Sequence, residues 1–219
     1  TATDAYIGTV DTLMTVDDSV SSSNYLDQCF LDIASNDRLH LLYDDVYTSM
    51  GSSYLNPYYY TWIGSTYSFT PIDLSGGSGS TIVTRAVAVD SSDIPWLSYG
   101  GDIYEGNSAV PTSFTIRQGS TNTLYKIIVF DSSNIAYSVE YISSNISVEN
   151  ESGTTYTFAP TNTSVIIGAI RDGNDLYIIY TDNTADEIYH VIFDLSAKTF
   201  GTAIAWGSTA TVISGNTDN

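Results

Sequence analysis

Any chemistry in this chain of 219 residues must draw on two histidines, one cysteine, 25 acidic residues and a large stock of aromatics. A Ser-His-Asp triad needs a histidine held as a base beside a nucleophile. His40 stands in a run of strand-forming residues, at a position that other parts of the chain fill with Trp or Tyr, and His190 alternates with Tyr189 and Val191. Both read as packing residues, and no G-x-S-x-G elbow accompanies them. Cys29 lies in the apolar run Cys29-Phe30-Leu31 and reads as a buried, inert thiol. A single cysteine also excludes an internal disulfide and any Cys-based zinc site.

The carboxylates offer more. Glycoside hydrolysis needs two acids facing each other across a sugar, and Asp44, Asp45, Asp90, Asp102, Glu105, Asp131 and Asp172 are the available set. Asp90 and Asp131 open turns of the same pattern, where an Asp commonly bonds its own backbone two residues on. No catalytic residue is assigned. Asp172-Gly173-Asn174-Asp175 and Thr181-Asp182-Asn183 are rich in the oxygen ligands Ca²⁺ prefers. Neither completes the D-x-[DN]-x-[DN]-G loop, so solvated turns are expected and a Ca²⁺ site is the alternative; no metal site or cofactor is assigned.

Aromatic platforms with a few placed polar groups bind sugars by stacking and hydroxyl recognition. Trp96, Tyr99, Asp102 and Tyr104 fall together in PWLSYGGDIYEG, and Tyr54, Asn56, Tyr58, Tyr60 and Trp62 form a second cluster. Trp96 and Trp62 alternate as core residues would, whereas Tyr54, Asp102 and Tyr104 read as loop positions that are hard to bury. The candidate ligand-binding residues are therefore Tyr54, Trp96, Tyr99, Asp102 and Tyr104.

The elements that must carry these residues show an internal repeat. Four segments share one layout, a strand-like run, a polar turn and a second strand: CFLDIASNDRLHLLY (29–43), TRAVAVDSSDIPWLSY (84–99), KIIVFDSSNIAYSVEY (126–141) and IIGAIRDGNDLYIIY (166–180). A gapless alignment superposes Ala34, Asp90, Asp131 and Arg171, and likewise His40, Trp96, Tyr137 and Tyr177. Successive turns are about 56, 41 and 40 residues apart. The longer first interval is ascribed to extra loop in TSMGSSYLNPYY and to SGGSGS (75–80). Further strand-like runs follow each pair, including a hairpin predicted from Tyr58–Trp62 and Tyr67–Thr70. Helical spacing in SNYLDQCFLDIA competes with strand alternation there, and the repeat favours the strand.

About four strands per repeat of some 40 residues predicts an all-β chain of β-propeller blades, with repeats near 25–80, 81–121, 122–162 and 163–208. Residues 1–20, with AYIGTVDTLMTV at 5–16, read as a closing strand or hairpin that TATVIS (209–214) could meet, making a partial fifth blade. Completion of a larger ring by more sequence or other subunits is the alternative, and a β-sandwich is the alternative fold. The Asp-Ser-Ser-Asn turn (131–134) before an aromatic strand loosely resembles the repeats of sialidase-like propellers. The stricter S-x-D-x-G-x-T-W box is absent from every copy, as is the WD dipeptide of another propeller family. A sialidase would also need an arginine cluster, and the arginines are single and scattered.

Composition closes several routes. Six Lys and Arg against 25 Asp and Glu leave a net charge of −19, and Arg38, Arg85, Arg117, Arg171, Lys126 and Lys198 form no basic patch for phosphate. The same acidity opposes anionic membrane surfaces, and no apolar run approaches the roughly 18 residues of a bilayer span. Only 14% of residues are charged, below the ordinary level of about 25%. The hydroxyl-rich, Lys-poor surface points to an extracellular, cell-surface or virion setting, and Asn145, Asn150 and Asn162 begin N-glycosylation sequons. The expected function is a non-enzymatic exterior module for adhesion, glycan binding or assembly, its partners glycans, other surface proteins or further copies of itself. A glycoside hydrolase or lyase and a purely structural surface component are the alternatives.

Overall fold

A computed structural model of the protein describes residues 25–49, 52–62, 72–73, 84–118, 127–161, 164–182 and 187–208, and all regular structure among them is strand. Alternating side chains rich in Val, Ile, Tyr, Phe and Thr build four antiparallel sheets. Blade 1 comprises β1 (Tyr25–Ile33), β2 (Leu39–Ser49), β3 (Ser52–Trp62) and β4 (Ile72–Asp73). Blade 2 comprises β5 (Thr84–Val89), β6 (Pro95–Tyr99), β7 (Asp102–Gly106) and β8 (Phe114–Gln118). Blade 3 holds β9 (Ile127–Phe130), β10 (Ala136–Ile142), β11 (Asn145–Asn150) and β12 (Thr155–Phe158). Blade 4 holds β13 (Ser164–Asp172), β14 (Asp175–Asp182) and β15 (Glu187–Asp194), with β16 (Thr199–Phe200) and β17 (Ile204–Ser208) both paired to β15. The four sheets are arranged as the blades of a β-propeller, the all-β fold expected from the repeat.

The cores lie between blades. Phe30, Leu42, Tyr59, Leu97 and Tyr99 join blades 1 and 2; Ala86, Trp96, Ile103, Ile128 and Ala136 join blades 2 and 3. Tyr137, Val139, Leu176, Ile178, Val191 and Phe193 anchor the largest cluster, between blades 3 and 4. Strand alternation produces this order directly. Within the second strands of blades 2 and 3, residues of one parity face the preceding blade and those of the other parity face the following one.

The turns joining the first two strands tie the blades together with polar bonds. Asp90 Oδ1 accepts from the N–H groups of Ser92 (2.8 Å) and Ile94 (2.9 Å), and Asp131 Oδ1 does the same for Ser133 (2.8 Å) and Ile135 (3.0 Å). Each is the self-bonded turn expected of Asp there. Asp37, Asp93 and Asn134 take left-handed φ values of 62°, 62° and 65°. From that position Asp93 accepts from Ser35 N (2.7 Å) and Oγ (2.9 Å) in blade 1. Asn134 likewise accepts from Ser91 N (2.8 Å) and donates to Asp90 Oδ2 (3.1 Å) in blade 2.

Several local expectations are corrected. The gapless alignment slips by one residue in blade 4, where Asp172 pairs directly with Asp175 across a tighter turn with Gly173 at φ 61°. Arg171 is therefore a strand residue, its Nη1 donating to Phe130 O (2.6 Å) in blade 3. The long first interval is strand as much as loop, because β2 and β3 pair from Leu39–Trp62 out to Ser49–Ser52. β3 takes Ile72–Asp73 as its outer partner, and Tyr67–Thr70 lie outside the described residues. So do 1–20, 75–80, 209–214 and Asn162, as do the side chains of Cys29, Tyr54 and Trp62. Asp44 and Asp45 pair with Pro57 and Asn56 in mid-strand.

Two-residue turns join the second and third strands of blades 2 and 3. Gly100 and Gly101 (φ 62° and 87°) serve blade 2, while Ser143 and Ser144 (φ 51° and 67°) serve blade 3. Left-handed backbone costs a residue with a Cβ about 1 kcal/mol more than glycine. Ser144→Gly is expected to raise stability by about 0.5–1 kcal/mol, read as a higher urea midpoint at unchanged slope.

Candidate functional site

The register of blade 2 decides where the sequence candidates go. Trp96 pairs with Glu105, Leu97 with Tyr104, and Tyr99 with Asp102. Trp96 consequently faces blade 3, while Leu97, Tyr99 and Tyr104 face blade 1. The Trp96–Tyr99–Asp102–Tyr104 cluster read from the sequence is thus divided between opposite faces of one sheet.

Tyr99 and Tyr104 stack at 4.1 Å with planes 10° apart, and the Tyr104 hydroxyl points to Asp102 Oδ2 at 3.4 Å. Burial raises the hydroxyl pKa of both tyrosines, with the Asp102 charge adding to it. Neither Asp102 nor Tyr104 is a loop residue; both are on β7. Tyr99 is 8% exposed and belongs to the core between blades 1 and 2. Tyr54 pairs with Tyr47 far along the blade 1 hairpin, away from this group in the register.

Trp96, in contrast, lines a cavity of about 450 Å³ between blades 2 and 3, with Asp90, Glu105, Arg117, Asn134, Glu151 and Ser152. Each side chain is placed by an element already described. Trp96 is the second residue of β6, 4% exposed, its ring edge-on to Phe130 at 5.6 Å. Its indole N–H is buried and has no hydrogen-bond partner. Glu105 is its cross-strand neighbour on β7 and pairs with Arg117 of β8 through the guanidinium. From the other side, Glu151 Oε2 accepts from Ala136 N at 3.5 Å, and the Asn150 side chain shapes the turn by accepting from Ser152 N (3.1 Å), Ser152 Oγ (2.7 Å) and Thr154 N (2.9 Å). Asn134, already bonded to Asp90, bridges the two blades at the cavity wall.

Three carboxylates and one guanidinium give the cavity an excess of acceptors and negative charge. Such a lining receives hydroxyl or ammonium hydrogens well and disfavours anionic ligands. Among the described residues, no three His, Cys, Asp or Glu side chains converge to hold a metal ion. Sequence reasoning picked out Trp96 here and listed Asp90 and Glu105 among seven available acids, but missed Arg117, Asn134, Glu151 and Ser152. The readable signal was the Asp-Ser-Ser-Asn turn. Its Asn reaches back to the preceding blade's Asp only once blades are stacked in order.

His40 stays outside any such site. It is fully buried in blade 1, its Nδ1 stands 2.5 Å from the Tyr59 hydroxyl, and its Nε2 has no partner. His190 lies among rings, 5.9 Å from Tyr177 and 5.4 Å from Trp206. Asn145 and Asn150 occupy the two ends of β11, with Asn145 Nδ2 donating to Ser143 O at 3.0 Å.

Fold and cavity together define a β-propeller with a polar pocket set between two blades. No protein-family model matches the chain, and no curated protein matches it in sequence. Among solved structures it is similar to a Bacteroides caccae protein of unknown function, at TM-score 0.53 and 10% identity, covering 81% of this chain and 60% of that one. A prolyl endopeptidase aligns at TM-score 0.51 and 12% identity, over 84% of this chain and 26% of that one. Virginiamycin B lyase from Staphylococcus aureus aligns at TM-score 0.49 and 11% identity, over 83% and 69%. At these identities the likeness is one of fold.

Proposed function

We propose that this protein is a non-catalytic propeller module of an extracellular, cell-surface or virion structure, holding a neutral, hydroxyl-rich ligand of the saccharide class in the pocket between blades 2 and 3. The observation that carries the reading is the cavity of about 450 Å³ walled by Trp96 and rich in acceptors, with three carboxylates, an amide and a hydroxyl beside the Arg117 guanidinium. The carboxylates accept from sugar hydroxyls. The hydroxyl-rich, Lys-poor composition supports the exterior setting.

A glycan array run with calcium and with chelator, and assayed for released sugar, tests this. Retention without release is expected, unaffected by chelator. Glu151→Ala removes one of the acceptors lining the cavity and should weaken binding about tenfold, the worth of one hydrogen bond to a charged group. Tyr104→Ala, on the face of blade 2 opposite Trp96, should leave binding unchanged. Glu105 and Glu151 in one cavity favour glycoside cleavage as the second reading. Sugar release abolished by Glu105→Gln or Glu151→Gln would establish it, while silence in both assays would favour a purely structural role.

A further inference from the structure

The apolar residues most exposed to water are concentrated on the two end faces of the blade series. Leu31 (56%) and Ile33 (57%) lie on blade 1, and Ile170 (64%), Ile204 (52%) and Trp206 (59%) on blade 4. Among the described residues, register assigns Leu31, Ile33 and Ile170 to the side away from the blade that each end sheet packs against. On blade 1, Phe30 and Leu42 face blade 2, so Leu31 and Ile33, with their cross-strand partners Leu41 and Leu39, face outward. On blade 4, Leu176, Ile178 and Phe193 face blade 3, so Tyr177, Ile179 and Ile192 face outward with Ile170.

The outward residues are the two halves of one junction. His40, Trp96 and Tyr137 hold the same repeat position, and each is at most 4% exposed because the following blade covers it. Tyr177 holds that position in blade 4 and is only half-buried. The polar lock is also incomplete. Asp93 and Asn134 reach back to the turn of the preceding blade, whereas the side chain of Asp37, with the same backbone conformation, is exposed on blade 1.

We infer that these faces are a head-to-tail interface between copies of this chain, blade 4 of each docking on blade 1 of the other to close a two-fold ring of eight blades. The occupant follows from the polarity of the stack. All three internal junctions run in one direction, so the surface that fits blade 4's outward face is the first-blade face, which a second copy carries. Two such heterologous contacts related by a two-fold axis leave no face uncovered. The apolar contact residues are uncharged, but Asp37 lies at the junction and each chain carries −19, so association should strengthen as salt screens the repulsion.

Sedimentation equilibrium of the purified chain at 0.5 M salt tests this. A mass twice the 23.7 kDa chain is expected, falling to one chain for Ile33→Asp and for Ile170→Asp. Ile116→Asp, equally exposed at 54% but on the outer strand of blade 2, should remain dimeric and controls for the added charge. Unchanged far-ultraviolet circular dichroism confirms that each variant folds. A monomer at every concentration overturns the proposal in favour of cover by another segment of the same polypeptide. A dimer indifferent to both end-face variants overturns it equally, and so does a mass that grows without limit.

Discussion

Phe193→Ala should lower the unfolding free energy by about 3–5 kcal/mol, a shift large enough to unfold much of the population in mild urea. Phe193 is fully buried at the centre of the blade 3–blade 4 core, 5.2 Å from Tyr156 and 4.8 Å from Phe200 by ring centroid. These rings come from β12, β15 and β16, so the cavity left by truncation is walled by separate strands that cannot collapse together. Phe193→Leu, which keeps most of the volume, should cost less than half as much. Urea titrations of both variants provide the measurement, and equal losses would show that the site relaxes around the missing ring.

Mild acid should destabilise the protein through His40. Burial, reinforced by the positive charge of Arg38 and partly opposed by Asp93, holds its pKa down at about 4, against an unfolded value of about 6.5. Between these values the unfolded chain binds a proton that the folded chain refuses, so stability rises with pH across the window. It is complete above about pH 6.5 and is lost as pH falls towards 4, a loss on the order of 3 kcal/mol from this one group. Melting curves taken from pH 7 to pH 4 should show it. His40→Tyr, installing the residue that blade 3 carries at the same repeat position, should flatten the profile in that window.

The architecture was legible because the blade is a local object. Strand alternation, turn residues and the recurring aromatic at His40, Trp96, Tyr137 and Tyr177 all fall within some 15 residues of one another. They locate the first two strands of every sheet. The Asp90 and Asp131 turns followed from side-chain reach alone. The site was less legible because its members meet across a boundary. Trp96 and Tyr99 look adjacent in sequence, yet three residues along a strand is an odd step, and it sends them to different neighbours. Arg117 and Glu105 are joined by a hairpin whose register contains a bulge between Ile103 and Tyr104, which parity counting does not foresee. Glu151 and Asn134 enter the cavity only because blade 3 follows blade 2 in space.

The stacking of each blade on its sequence neighbours makes the molecule a one-dimensional lattice, in which stability is a sum of unit terms and nearest-neighbour couplings. Among the described residues, blades 2 and 3 are each coupled on both sides, whereas blades 1 and 4 are coupled on one. Opening should therefore begin at the ends and move inward, leaving the pair that encloses the Trp96 cavity as the last cooperative unit. Joining the ends adds couplings without adding a residue, and it removes the terminal units from which fraying would start.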